Sequence, residues 1–472
     1  MSFSVGRRGL GHIRYVIVLL ILASDFNAVL AQELSRLRGP LNDVGSSPPT
    51  DVPRIASSLA LYFDPLQGES SLDLVRRALL FNGELAAARI DIDRARARVR
   101  QAGLRPNPTV DFEQATGSLT GSSGERETGI GVSLPLEVSG QRKRRIVLAQ
   151  AQLEATEAEV GEAERHLTGE VLAAYAEALA AIRELEITEG LNDIDLQTTR
   201  FVQARVNGGE SAPIELSLLQ VEVERLKSRR AQVEGRLQAT LIKLKNLVGI
   251  PFDAPIRLRE ELSTSQAVWN QPASLDAAVE IALRTRPDIK FARLNVEVAR
   301  AGLSLAQSQT GPEVVASTKY IQNRSLFDDT PVGPISDRDK LITFGVSVGI
   351  PIFNRNQGTK AEAALAINQA ERRRDFLETA VRSEVASAYA RLDAVQRSLT
   401  TFDQGVISRS NDNIRAIRAA YQIGEFKITD LLAEQRRLLD SQREFTEALA
   451  ERYRALADLR IAIGSPLNTN ER

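Results

Sequence analysis

Two pairs of strictly alternating runs interrupt a chain whose other apolar positions recur every three, four or seven residues. In the first pair, Val110 and Phe112 alternate with Asp111 and Glu113, and Ile130, Val132, Leu134 and Leu136 alternate with Gly129, Gly131, Ser133 and Pro135. A period of two predicts strands with one apolar face and one polar or small face. Gly117 to Gly124 makes the turn between them. The second pair falls around Val314 to Gln322 and Leu341 to Ile352, with Ile342, Phe344, Val346, Val348, Ile350 and Ile352 on one face. Asn323 to Asp339, which contains Pro331 and Pro334, reads as a longer polar loop.

Helical pattern flanks each pair. It begins at Ser71, a plausible N-cap, and runs to about Leu104, where Pro106 and Pro108 stop it. No proline follows Pro135 until Pro213, and Ile146, Leu153, Val160, Leu167, Ala174 and Ala181 recur every seventh residue, as in a coiled-coil seam. Continuous to about Arg205, this helix of roughly 60 residues would reach about 90 Å. Gly190-Leu191-Asn192 is a candidate bend. Asn207 to Pro213 turns the chain, and Leu216, Leu219, Val223, Leu226, Val233, Leu237 and Leu244 carry a returning helix towards Gly249 and Pro251. The order then repeats, with a helix from about Leu275 to Gly311-Pro312, a proline-free stretch from Ile352 to Ser465, and a turn at Gln422 to Lys427.

The halves are copies at the level of landmarks. Ser71-Leu72-Asp73 returns as Ser274-Leu275-Asp276, Gly131-Val132-Ser133-Leu134 as Gly345-Val346-Ser347-Val348, Gly209-Glu210 as Gly424-Glu425, Gln220 as Gln435 and Gly249 as Gly464. An offset of about 200 to 215 residues is too long for a solenoid and points to two copies of one large unit. The expected fold is mainly α with a small β part, an internally duplicated helix, β-hairpin, long helix, helix unit. Residues 71–251 form the first repeat, with its hairpin at 108–137 and tip turn at 206–213, and residues 274–466 the second, with its hairpin at 313–352 and tip turn at 422–429. Residues 252–273 read as a linker, 32–70 as an extended, proline-rich N-terminal arm and 467–472 as a tail.

Composition adds three constraints. With 5% aromatic and 26% charged residues, the chain suits long helices better than thick globular cores. Its net charge of -1 supplies no basic field for nucleic acid. Arg7, Arg8 and Arg14, the apolar run Tyr15 to Ala23 and the small residues around Val29-Leu30-Ala31 predict a signal peptide over residues 1–31. The sequence has no cysteine, so neither a disulfide nor a lipid-bearing Cys is expected. No later segment has the roughly 18 apolar residues of a spanning helix, so any membrane crossing must use strands. Four strands cannot close a barrel, whereas two chains would bring eight and three chains twelve. Surface hairpins on a soluble coiled-coil protein are the competing reading.

The approach Leu104-Arg105-Pro106-Asn107-Pro108, the exit Pro135-Leu136-Glu137 with Gly140-Gln141-Arg142-Lys143-Arg144, and Ile350-Pro351-Ile352-Phe353-Asn354-Arg355-Asn356-Gln357-Gly358 carry a family likeness. From about Leu72 to Pro466 the chain resembles the TolC-type outer membrane factors, most of all their CzcC/CusC-like heavy-metal branch. The resemblance implies a homotrimer in the outer membrane of a Gram-negative bacterium, with a twelve-stranded β-barrel and a trimeric α-barrel tunnel across the periplasm. It implies docking onto a periplasmic adaptor (membrane fusion protein) and an inner-membrane pump of the resistance-nodulation-division (RND) type. Many such relatives carry a lipid-modified cysteine; here anchoring by the barrel strands in outer membrane lipid, without a lipid anchor, is expected.

The likeness also assigns roles. Val110, Phe112, Ile130, Val132, Leu134, Ile342, Phe344, Val346 and Val348 are the membrane-facing strand residues. Val206, Gly208, Gly209, Glu210, Ile423, Gly424 and Glu425 are candidates for the adaptor-docking tip, and Asp430, Glu215 and Tyr421 for a periplasmic gate. Two readings of Asp430 stand: a gate acid in three copies, or an ordinary acid at a helix N-terminus. Arg142 to Arg145 are open to two readings as well, inner-leaflet contacts or a solvated cluster. His166 is the one histidine after the predicted signal, so no His/Cys/Met metal cluster can be composed within a protomer; no nucleophile-base arrangement, phosphate loop or metal-hydrolase motif appears either, and no cofactor and no enzyme are expected. The function expected is a passive exit duct for heavy-metal cations. Multidrug efflux or polypeptide secretion through the same duct is the alternative, and a periplasmic coiled-coil adaptor a more distant one.

Overall fold

The structure, a computed structural model, describes residues 58–119, 125–262, 272, 274–327 and 335–464. The predicted signal peptide, residues 32–57 of the arm, most of 263–273 and the tail lie outside the described residues. The first copy contains α1 (Ser71–Phe81), α2 (Gly83–Ala102), β1 (Thr109–Thr116), β2 (Arg126–Leu136), α3 (Gln141–Asn207) and α4 (Pro213–Val248). The second contains α5 (Leu275–Thr285), α6 (Pro287–Ser308), β3 (Glu313–Phe327), β4 (Ile335–Gly349), α7 (Gln357–Thr401), a π-helical segment Phe402–Ile407, α8 (Ser408–Gln422) and α9 (Ile428–Ile463).

Each leading helix is two helices rather than the one expected. Ser70, not Ser71, caps α1, its Oγ accepting the Asp73 N–H at 3.1 Å. Asn82 then turns extended, caps α2 through the Leu85 N–H at 2.9 Å, and donates its Nδ2 to the Leu247 carbonyl at 3.0 Å. Arg286 does the matching work between α5 and α6, where Pro287 excludes helical backbone from the residue before it. Its guanidinium reaches the Ala462 carbonyl at 2.9 Å, beside an Arg165 bond to Ile461 and a Thr285 bond to Ile463. Each break therefore satisfies carbonyls that the end of the returning helix leaves open.

The helix α3 holds 67 residues, about 100 Å at 1.5 Å per residue, and passes through Gly190 unbroken. Its first half packs on α2 and α6, through Arg89–Glu164 at 2.7 Å and Arg144 to the Ser304 carbonyl at 2.9 Å. Its second half packs on α4 and α9. The arm and linker are also more ordered than expected. Phe63 and Glu69 bridge Leu258, which is fully buried, and Tyr175 of α3 fastens them, donating its hydroxyl to the Glu69 carbonyl and accepting the Glu260 N–H.

The strands form one antiparallel sheet in the order β1-β2-β3-β4. β3 and β4 pair as far as Phe327 and Ile335, so most of the expected polar loop is ladder. Backbone hydrogen bonding across a long hairpin does not require apolar alternation, which hid this extension from pattern reading.

Candidate functional site

Register places the apolar strand residues on one face. Val110 lies opposite Val132 and Phe112 opposite Ile130; Ile130 meets Tyr320, and Leu134 meets Ala316. Tyr320 faces Ile342, Thr318 faces Phe344, Ala316 faces Val346 and Val314 faces Val348. This band is bare: Phe112 is 65% exposed and Phe344 81%. On the opposite face Lys319 crosses β2 to pair with Glu113. A Cβ on Gly129 would come within 2.8 Å of Cε of Lys319, so the lysine runs directly over the bare glycine backbone. The sheet thus carries an apolar band on one face and a cross-strand ion pair on the other.

At the opposite end of the long helices lie two turns. After α3, the Gly208 N–H bonds Ala204, Gly209 takes a φ of 76°, and the Glu210 N–H closes on the Arg205 carbonyl at 2.8 Å. After α8, the N–H groups of Ile423, Gly424 and Glu425 bond back to Ala419, Tyr421 and Ala420, with Gly424 at a φ of 84°. The positive φ values are why glycine stands at matching places in the copies. Gly208, Gly209, Glu210, Ile423, Gly424 and Glu425 are exposed, whereas Val206 is half-buried against the apolar cluster of the tip. That cluster joins the hairpins through Val202, Leu219, Ile414, Tyr421, Leu431 and Leu432.

The three gate candidates separate here. Tyr421, 4% exposed, donates its hydroxyl to Glu215 Oε2 at 3.0 Å, linking the two hairpins. Burial, and then the Glu215 carboxylate, push the phenol up to about 12, so it stays a neutral donor. Asp430 is exposed, and its carboxylate accepts the Lys427 N–H at 3.1 Å at the start of α9.

Other residues singled out in the sequence have structural partners. Arg142 and Arg144 hold the Gly103 and Ser304 carbonyls, and Arg145 pairs with Glu137, so this basic run ties helix ends and strand exit together. His166 is a surface residue 3.0 Å from Glu162. Among the described residues no group of three or more His, Cys, Asp or Glu is arranged to hold a metal ion. Pattern reading missed two buried acids: Glu184, met by Arg229, Arg236 and Arg443, and Asp195, which accepts a 2.7 Å bond from Gln435. The repeat of Gln220 as Gln435 was the one available signal.

The profile of the outer membrane efflux protein family matches residues 74–250 and again 278–465, once on each copy. The chain belongs to the outer membrane efflux protein family. Members of this family are passive channels and not enzymes, which accords with the lack of catalytic motifs in the sequence. The cobalt-zinc-cadmium resistance protein CzcC of Cupriavidus metallidurans is 23% identical over 434 residues, 90% of this chain and 94% of that protein. The pyoverdine export outer membrane protein OpmQ of Pseudomonas putida is 24% identical over 394 residues, 79% of each chain. A solved structure of CusC shares the fold, with a TM-score of 0.71 at 22% identity over 89% of this chain and 99% of that one.

Proposed function

We propose that three copies of this chain close a twelve-stranded outer membrane barrel continued by an α-helical periplasmic tunnel, which serves as the exit duct of a tripartite efflux system. The observation that carries the proposal is the sheet itself. The outer edges of β1 and β4 are unpaired while one face carries a broad apolar band. In lipid an unpaired edge leaves backbone groups unsatisfied, and joining β4 of one copy to β1 of the next removes every edge. The exposed turns at 207–210 and 423–425 are then the end that meets a periplasmic adaptor and an RND pump. The Tyr421–Glu215 bond holds the hairpins together there, and three Asp430 carboxylates face the narrowing.

Heavy-metal cations are the proposed cargo, because a relative spanning 90% of the chain is named for cobalt, zinc and cadmium resistance. Selection would fall to the pump. A second reading, a small organic cargo, is favoured by the relative named for pyoverdine export. The absence of cysteine makes the test clean. Single cysteines placed along β1 and combined with Phe344→Cys should give oxidised trimers, and purified protein should conduct in a bilayer. A monomeric mass with no conductance even in Asp430→Ala would overturn the duct. For cargo, a deletion strain should lose cobalt, zinc and cadmium tolerance; unchanged tolerance would favour the organic cargo.

A further inference from the structure

Asp195 of α3 is 2% exposed and lies where both hairpins meet, 12 residues before Asn207 and so about 18 Å along the helix from the tip turn. Its Oδ1 accepts one hydrogen bond, from Nε2 of Gln435 on α9. The other end of that amide, Gln435 Oε1, is buried with no partner. From α4, Glu222 adds negative charge, itself held by Arg436 of α9 at 3.0 Å and Arg225 at 3.3 Å. From α8, Arg418 adds positive charge, and its Nε is buried without a partner. Burial dominates: it pushes the Asp195 carboxyl up to about 6, Glu222 adding to the rise while the Gln435 bond and Arg418 oppose it.

The ionised pair leaves two faults, a buried charge and a buried amide oxygen without a donor. One proton corrects both. A protonated carboxyl still accepts Nε2–H and donates its own O–H to Oε1, so a single bond becomes a matched pair. At the corresponding places of the other copy stand Gln220, which is exposed, and Ser410, so that pairing has no carboxyl. Between Asp195 and the turns lies the apolar cluster of Val202, Leu219, Ile414 and Tyr421. Separating the hairpins at the tip strains the Asp195–Gln435 bond as well.

We propose that Asp195 and Gln435 form a proton-operated latch between the two hairpins, fastened when Asp195 is protonated and loosened when it is ionised. Only the consequence for conduction rests on the duct reading. Because the folded-state value lies above that of the unfolded chain, the native state binds the proton more tightly, and stability from this group grows as pH falls from about 7 to about 4. The test uses the full chain in detergent and in planar bilayers. Infrared difference spectra between pH 7.5 and 5 should show a buried, protonated carboxyl band that titrates near 6 and is missing from Asp195→Asn. Asparagine can donate to Oε1 and accept from Nε2 at any pH, so Asp195→Asn should melt at the acid wild-type temperature throughout. His166→Gln controls for imidazole titration. Conductance of wild type should fall at least twofold on acidification, with Asp195→Asn low at every pH and Gln435→Leu unresponsive. A carboxyl band that survives in Asp195→Asn, or a wild-type melting temperature that does not rise with acid relative to that variant, overturns the latch. Absence of conductance from every variant at every pH overturns the duct instead, and the spectra and melting curves still decide the latch.

Discussion

The first long helix runs unbroken from the sheet to the tip, whereas its copy changes to π pitch at Phe402–Ile407 before continuing as α8. Glycine content does not explain the difference. α3 contains Gly161, Gly169 and Gly190, and Gly405 of the π segment stands at the place matching Gly190. Packing does. Around its middle α3 buries Val171, Leu172, Ala174, Tyr175, Ala176, Ala178, Leu179, Ala181 and Leu185, with neighbours on several sides. The second long helix buries only Val381, Val385, Ala388, Leu392 and Leu399 along α7, then Ile414 and Tyr421 along α8. A helix enclosed by neighbours keeps its pitch at glycine, and one supported along a single seam admits an extra residue per turn.

The largest loss is expected at the cap of the second copy. Arg286→Met leaves the Ala462 carbonyl and Asp288 without their cation and should cost about 3–5 kcal/mol in denaturant unfolding. Burial raises the Asp288 carboxyl, but the Arg286 bond and charge outweigh it and hold the group below its ordinary value. Stability from this pair is therefore full above about pH 4 and lost as pH falls through the folded-state value, the opposite sign to Asp195; the variant should lose that acid sensitivity. Next comes Leu74→Ala, at a site fully buried in the first copy where the second has Ala278. It should cost about 2–5 kcal/mol, since nothing nearby fills the space. A loss under about 1 kcal/mol would mean the two cores are interchangeable. Tyr421→Phe removes the bond to Glu215 and should cost about 1 kcal/mol while raising bilayer conductance. Asp430→Asn, which disturbs one exposed cap, should alter melting less; the reverse ranking would mean that the Asp430 cap, and not the Tyr421–Glu215 bond, holds the tip. Smallest is Gly190→Ala, where an added methyl meets open space and α3 should gain about 0.5–1 kcal/mol.

Local chemistry made much of this legible. Alternation at Val110 to Glu113, at Gly129 to Leu136 and at Leu341 to Val348 identified strand segments, because a pleat with one apolar face enforces a period of two. Gly209 and Gly424 stood out at the turns because a left-handed residue there is a local demand. Both breaks had a local hint, Pro287 after Arg286 and the Asn82-Gly83 dipeptide. What holds Asn82 is a carbonyl 165 residues away. The pairing of Tyr421 with Glu215, and of Asp195 with Gln435, likewise spans more than 200 residues and leaves no periodic trace.

The duplicated order of elements, the faces of the strands and the positions of the turns follow from the stereochemistry of neighbouring residues. Long-range packing sets which acids are paired and which are bare, keeps the first long helix continuous through Gly190, and makes Arg142, Arg144 and Arg145 hold helix ends and the strand exit. The reason is the range of the forces. Backbone preference and side-chain alternation act over a few residues, whereas desolvation and hydrogen-bond satisfaction depend on which distant segments the fold brings alongside.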